Sequence, residues 1–167
     1  RTVRSVRLKH EGNWDPEPAA WPRMKAILAH DYRTELQFSE AVDIAELADT
    51  GHDVAILTGT GAFVLDSARK SALRAFIRAG GLVIADAAGG SDAFDGSVRS
   101  ELLPLLADEF PRTGLLSAGS EIYRLEGLEI DQVRYRRAAR AMYGGDRHAR
   151  LEAVSLDDRL AIVYSRD

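Results

Sequence analysis

Cysteine is absent from the 167 residues. That absence removes disulfides, thiolate metal ligands and a cysteine nucleophile together, and it leaves the redox compartment open. A basic excess is also lacking: the formal net charge is -4 and the pI is near 5.6. Nucleic-acid domains usually carry a basic face, so this balance argues against a general polyanion binder. No apolar run approaches the ~18 residues that a spanning helix needs. The chain starts at Arg1 with neither an initiator Met nor a signal peptide, which gives the expectation of a fragment of a longer protein. Against these absences stands a hydrophobic content of 46%. It suffices for one compact domain over residues 1–167, and a domain near this size buries roughly 70% of the surface its unfolded chain exposes.

The apolar patterning alternates between strands and helices. Val3 to Leu8 reads as a first strand and ends in the polar, proline-bearing loop from His10 to Pro18, which cannot be helical through its prolines. Trp21, Met24, Ile27 and Leu28 then fall at helical spacing up to about Tyr32, with Pro22 tolerated in the first turn. Gln37 to Ile44 is a weaker strand candidate. Asp53 to Thr58 is a buried strand closed by Gly59-Thr60-Gly61. A helix follows from Ser67 to Ala79, capped by Asp66, striped by Leu73, Phe76 and Ile77, and stopped by Gly80-Gly81. Leu82 to Ala85 is the next strand. Ser91 or Asp92 caps a helix whose inner face holds Phe94, Val98, Leu102 and Leu106, bent or shortened by Pro104. Leu115-Leu116 and Ile122-Tyr123 are short strand or turn candidates, and Arg159 to Tyr164 is a terminal strand after a turn at Asp157-Asp158. Such alternation predicts a single α/β domain, a three-layer sandwich with a mostly parallel sheet covered on both faces.

In open sheets of this kind ligands bind outside the carboxyl ends of the strands. Asp86 ends an apolar strand at that edge, where a carboxylate can coordinate a cation, accept hydrogen bonds from a sugar or act as a base. Its structural alternative is to bind backbone N–H groups of the turn from Ala87 to Gly90. Thr58 and Gly59 belong beside it if their strands are adjacent, and the amides of Thr58-Gly59-Thr60-Gly61 then form either an anion-binding concavity or a tight strand-helix connection. Gly89 lies in the same turn as Ala87. Ser91 is a conceivable nucleophile and a better helix cap, with Asp92 next to it. Trp14, in the loop that leaves the same edge, either stacks on a ligand ring or packs across the sheet edge. The four histidines have no metal-site spacing, and only His10 is placed to reach the edge. No metal and no cofactor are expected. From Arg134 to Arg150 the chain gathers six arginines against one aspartate, with Tyr135 and Tyr143 interleaved. The patch reads as a phosphate, acidic-lipid or RNA contact, or more commonly as a solvated helix or hairpin.

Several segments taken together resemble a bacterial family known as domain of unknown function 4159. They are Gly12-Asn13-Trp14-Asp15-Pro16, Thr58-Gly59, Gly80-Gly81 to Asp86 with Gly89, Ala93-Phe94-Asp95, Arg99 with Glu101-Leu102, and Asp158 to Ser165. The resemblance covers nearly the whole chain and rests on order and spacing. It implies a flavodoxin-like, class I glutamine amidotransferase-like fold, and a parent protein in the bacterial cell envelope or periplasm, either membrane-attached or free. At the strand-to-helix elbow, where relatives are expected to carry a cysteine pair, this chain has Ala87-Ala88. Glutamine hydrolysis needs an activated thiolate, so cysteine-dependent amidotransferase activity is excluded for this chain.

Three functions remain as expectations. The first is a non-catalytic module that binds an unidentified small molecule or protein partner through Trp14, Thr58, Gly59, Asp86, Gly89, Ser91 and Asp92. The second is a carboxylate- or metal-dependent hydrolase that uses Asp86, supported by Asp92 or Asp95. The third is a structural domain of an envelope assembly.

Overall fold

The computed structural model describes residues 1–47, 51–109, 111–135 and 137–166. Eight strands are described: β1 (Thr2–Lys9), β2 (Glu35–Phe38), β3 (Val42–Asp43), β4 (Val54–Gly59), β5 (Leu82–Ala87), β6 (Arg112–Leu115), β7 (Glu152–Leu156) and β8 (Arg159–Ser165). They form one sheet in the order β2-β1-β4-β5-β8-β7-β6, with the short β3 paired to the end of β1. The pairings of β1 with β2, β3 and β4, of β4 with β5, and of β5 with β8 are all parallel. β7 and β6 then add antiparallel to the far side, so the sheet is mixed. The expected strand from Gln37 to Ile44 is in fact two short ones, β2 and β3, and Ile44 opens a single 3-10 turn capped by the Asp43 carboxylate.

Helix α1 (Ala20–Tyr32) connects β1 leftward to β2, whereas α2 (Ser67–Arg78) connects β4 rightward to β5. Parallel crossovers are right-handed, so opposite directions of travel put the two helices on opposite faces. The α2 face holds the core. Val6, Ala55, Val83 and Ile162 lie in register across four strands and are fully buried. Leu73, Phe76 and Ile77 of α2 cover them together with Phe94, Val98, Leu102 and Leu106, and each such side chain stabilises the fold by roughly 1.5–3 kcal/mol.

The ends of α2 match the reading of its caps. The Asp66 carboxylate accepts from the Arg69 N–H at 2.9 Å. At the other end Gly81 N–H donates to Phe76 O and Gly80 N–H to Ile77 O, a Schellman closure that needs the left-handed φ of +102° at Gly80. Helix α3 (Asp92–Ser97) passes into a π turn at Val98–Leu102 and a 3-10 stretch at Leu103–Glu109. Pro104 supplies no N–H to the ladder, which accounts for the change of winding.

The opposite face is thinly covered. Trp21 of α1 packs edge-on against Phe38 at 5.7 Å, yet no residue of α1 is buried. Its partner is the edge strand β2 rather than the centre of the sheet, and Ile84 in the middle of β5 remains 38% exposed. Between β6 and β7 the chain makes a single turn at Glu121–Tyr123 and a short helix α4 (Arg137–Tyr143). Tyr123 is buried and its hydroxyl accepts from Leu151 N–H at 3.1 Å, which anchors this segment to the approach of β7. β7 and β8 are joined by Asp157-Asp158, both in left-handed φ, as a two-residue hairpin requires.

Candidate functional site

The sheet reverses its order of growth between β1 and β4, the place where an α/β sheet opens a crevice at its carboxyl edge. Here that crevice is sewn shut. Gly61 N–H donates to Gly12 O at 2.8 Å, and Asn13 Nδ2 donates to Thr60 Oγ1 at 2.7 Å. The two loops meet so closely that a Cβ on Gly12 would stand 2.4 Å from Gly61 O. Beneath the seam, buried His10 packs between the rings of Phe63 and Phe94 at 5.2 and 5.8 Å. Its Nε2 lies 2.9 Å from Thr58 O, and its Nδ1 is 3.0 Å from the Gly12 N–H. A carbonyl only accepts and an amide only donates, so the ring is the neutral tautomer with its proton on Nε2. Burial pushes its pKa below the ordinary value, which agrees with that assignment. His10 thus reaches the edge as a structural group.

With the reversal point sealed, the opening lies to one side, on the face that α1 only partly covers. A cavity of about 310 Å³ is lined there by Thr58, Asp86, Ala88 and Gly89 from the strand ends and by Pro16, Glu17, Ala20 and Trp21 from the loop and first turn of α1. Thr58 and Asp86 are register partners on β4 and β5, so they stand side by side on this face. Thr58 is only 6% exposed; its carbonyl is taken by His10, and its hydroxyl makes no hydrogen bond to another described residue. The β5 elbow places its left-handed backbone at Gly89 and Gly90, while Ala87 has φ -80°. The cavity is therefore lined by two carboxylates, the Thr58 side chain, an indole and the apolar side chains of Pro16, Ala20 and Ala88. Its volume falls at the lower end of the range that small-molecule sites span.

Of the residues singled out from the sequence, Thr58, Asp86 and Gly89 come together here. The others are placed elsewhere. Gly59 is buried under His10 and Phe94, with room for no Cβ: one would stand 2.8 Å from His10 Cε1. The Gly61 amide of the same loop is spent on the Gly12 carbonyl. Ser91 caps α3 by accepting from Phe94 N–H at 3.4 Å, and its hydroxyl donates to Thr60 O. Trp14 lies under Arg7 and Lys9, 5.4 and 5.9 Å from the ring centroid, while Arg7 also meets Asp15 at 2.8 Å.

Asp92 and Asp95 belong to a different network. Arg166 meets Asp92 at 2.7 Å, and Asp95 accepts from the Tyr164 hydroxyl at 2.7 Å and from Arg99, which also grips Glu152. Desolvation, then the hydrogen bond to Asp95, raises the Tyr164 phenol well above its ordinary pKa. The network ties α3 to β7 and β8. Among the described residues no group of three or more His, Asp or Glu side chains is placed to hold a metal.

Sequence reasoning missed Glu17 and Trp21 as site residues. Trp21 had a signal, since Trp21-Pro22 opens a helix directly after a carboxyl-edge loop. Glu17 had none beyond its place in that loop.

Comparison with protein families gives one match: the model described as domain of unknown function (DUF4159) covers residues 4–167. No curated protein matches the chain.

Proposed function

We propose that this chain, which belongs to the DUF4159 family over residues 4–167, is a non-catalytic module binding a small polar ligand at the carboxyl edge of β4 and β5. The observation that carries the reading is the cavity lined by Thr58, Asp86, Glu17 and Trp21 beside a crevice that is otherwise closed. Polar and apolar side chains line it together. The position a thiol nucleophile would need is alanine, and His10, the one histidine near the edge, has both ring nitrogens engaged. The proposal extends to a flavodoxin-like, class I glutamine amidotransferase-like three-layer sandwich, which the opposed crossovers of α1 and α2 support. It extends also to an envelope-associated parent protein, which rests on the sequence resemblance.

The test is thermal unfolding against a panel of nucleotides, sugars, cell-wall fragments and divalent metals, with Asp86→Ala and Thr58→Val alongside. Ligand at about 100 times its Kd stabilises the folded state by ~2.7 kcal/mol. For a domain of this size that is a rise of roughly 5–11 °C. A rise in the parent protein that vanishes in folded variants supports the site. A second reading, protein docking on the open sheet face, is favoured by the exposure of Ile84. It predicts that no compound shifts the transition and that Ile84→Glu, still folded, loses a partner held by the parent domain.

A further inference from the structure

Ten of the described arginines meet a carboxylate. Arg4 meets Asp53, Arg69 meets Glu11 and Asp43, Arg74 meets Asp108, and Arg78 meets Glu109, at 2.7 to 3.1 Å. What sets one place apart is that three arginines without such a partner line the same hollow. Arg134, Arg140 and Arg147 surround a concavity of about 720 Å³ formed by α4 and the loops that flank it. Arg134 and Arg140 make no ion pair with a described residue, and Arg147 reaches only the Gln132 side-chain oxygen at 3.4 Å. The one acid in the wall, Asp146, is turned to other partners. It accepts from the His148 N–H at 3.0 Å and from its imidazole at 2.8 Å, and it meets Arg150 at 3.3 Å.

A protein of net charge -4 holds ample carboxylate to neutralise such a cluster. Three cations that line one hollow without that neutralisation repel one another, and an anion relieves the repulsion. Guanidinium suits this task because its fork of N–H groups matches the oxygens of a phosphate. The hollow is the size of a small-molecule site, and the three arginines line this one concavity. That shape fits a compact polyanion and not the extended backbone of a nucleic acid.

We propose that the concavity of Arg134, Arg140 and Arg147 is a second binding site, separate from the carboxyl-edge cavity, for a ligand bearing a phosphate or diphosphate group. The group comes either from a soluble phosphorylated compound or from a lipid headgroup, and the two sources share the same contacts.

The experiment is calorimetric titration of the intact chain with inorganic pyrophosphate, and co-sedimentation with neutral-lipid vesicles containing phosphatidate. Both are repeated on Arg140→Gln, Arg134→Gln and the charge-matched control Arg23→Gln, on exposed α1. Each concavity variant is expected to weaken the bound probe about tenfold, and the control to leave it unchanged. Pyrophosphate binding points to a soluble ligand, and vesicle binding alone points to a headgroup. The proposal is overturned if neither probe binds, if Arg23→Gln weakens binding as much as Arg140→Gln, or if a single-stranded oligonucleotide binds more than 100-fold tighter than pyrophosphate. Should Arg140→Gln disturb α4, the variant at Arg134, outside that helix, decides.

Discussion

Gly12→Ala tests the seam that displaces the site from the reversal point. The new methyl carbon would stand 2.4 Å from Gly61 O, 2.5 Å from Ala62 O and 2.7 Å from Gly61 C. All three are backbone atoms, so no side chain can rotate away, and the loops must part by about 1 Å to restore ordinary contact. That separation also breaks the 2.8 Å bond from Gly61 N–H to Gly12 O. Forced overpacking costs about 1–3 kcal/mol and the hydrogen bond about 1 kcal/mol more, for a total of roughly 2–4 kcal/mol. At about 2–4 °C per kcal/mol for a domain of this size, the melting temperature falls by roughly 5–15 °C. Gly12 itself has no left-handed φ, so the loss measures crowding alone. Thermal unfolding reads the effect, with Gly119→Ala as control because a Cβ there meets nothing. If the two variants melt together, the seam is not closed as described. Since the same loop carries Pro16 and Glu17 into the cavity, Gly12→Ala should also weaken any ligand bound there.

Three further outcomes follow from particular contacts. His10 is neutral in the fold with its pKa lowered chiefly by burial, so the unfolded chain takes up the proton first. Stability is then fully present above about pH 6.5 and falls as pH drops below it; His10→Gln should flatten this slope in urea unfolding between pH 7 and pH 5. The slope will not vanish, because His52 is shifted the same way. Tyr164→Phe removes the 2.7 Å bond to buried Asp95 and should cost about 1–2 kcal/mol by chemical denaturation, with no change in ligand binding at the cavity. Gly96→Ala, inside α3 with open space around it, should stabilise by about 0.5–1 kcal/mol; a loss instead would mean that α3 packs more tightly than described.

Much of the fold was legible because local and long-range signals agree. The apolar runs of β4 and β5, the Asp66 cap, the Gly80-Gly81 stop and the Asp157-Asp158 turn each specify their element without outside help. Three features were not legible. β7, Glu152–Leu156, is short and has no turn residue directly before it, so its start is defined by its pairing with β8 and β6. The stripe of α1 is real, but the pattern does not say that its partner is an edge strand, which leaves the helix without a buried residue. At the site, strand-end logic finds Asp86 and Thr58, which share a face by register. It does not bring Ser91, Asp92 and Trp14 into the same cavity; a helix cap, an ion pair to Arg166 and cation contacts from Arg7 and Lys9 engage them instead. It fails for Glu17 because the path of its loop is set by the Gly12–Gly61 contact.

The chain has only two tryptophans, and they separate the alternatives cleanly. Trp21 lines the cavity, whereas Trp14 lies under Arg7 and Lys9 outside its wall. The most direct measurement follows their two indole N–H resonances in the ¹⁵N-labelled domain during titration with the compound that most raises the melting temperature. The account predicts a saturable shift of Trp21, accompanied by the amides of Thr58, Asp86 and Gly89, with Trp14 unmoved. A shift centred on Trp14, or saturation with no change at Trp21, would contradict it.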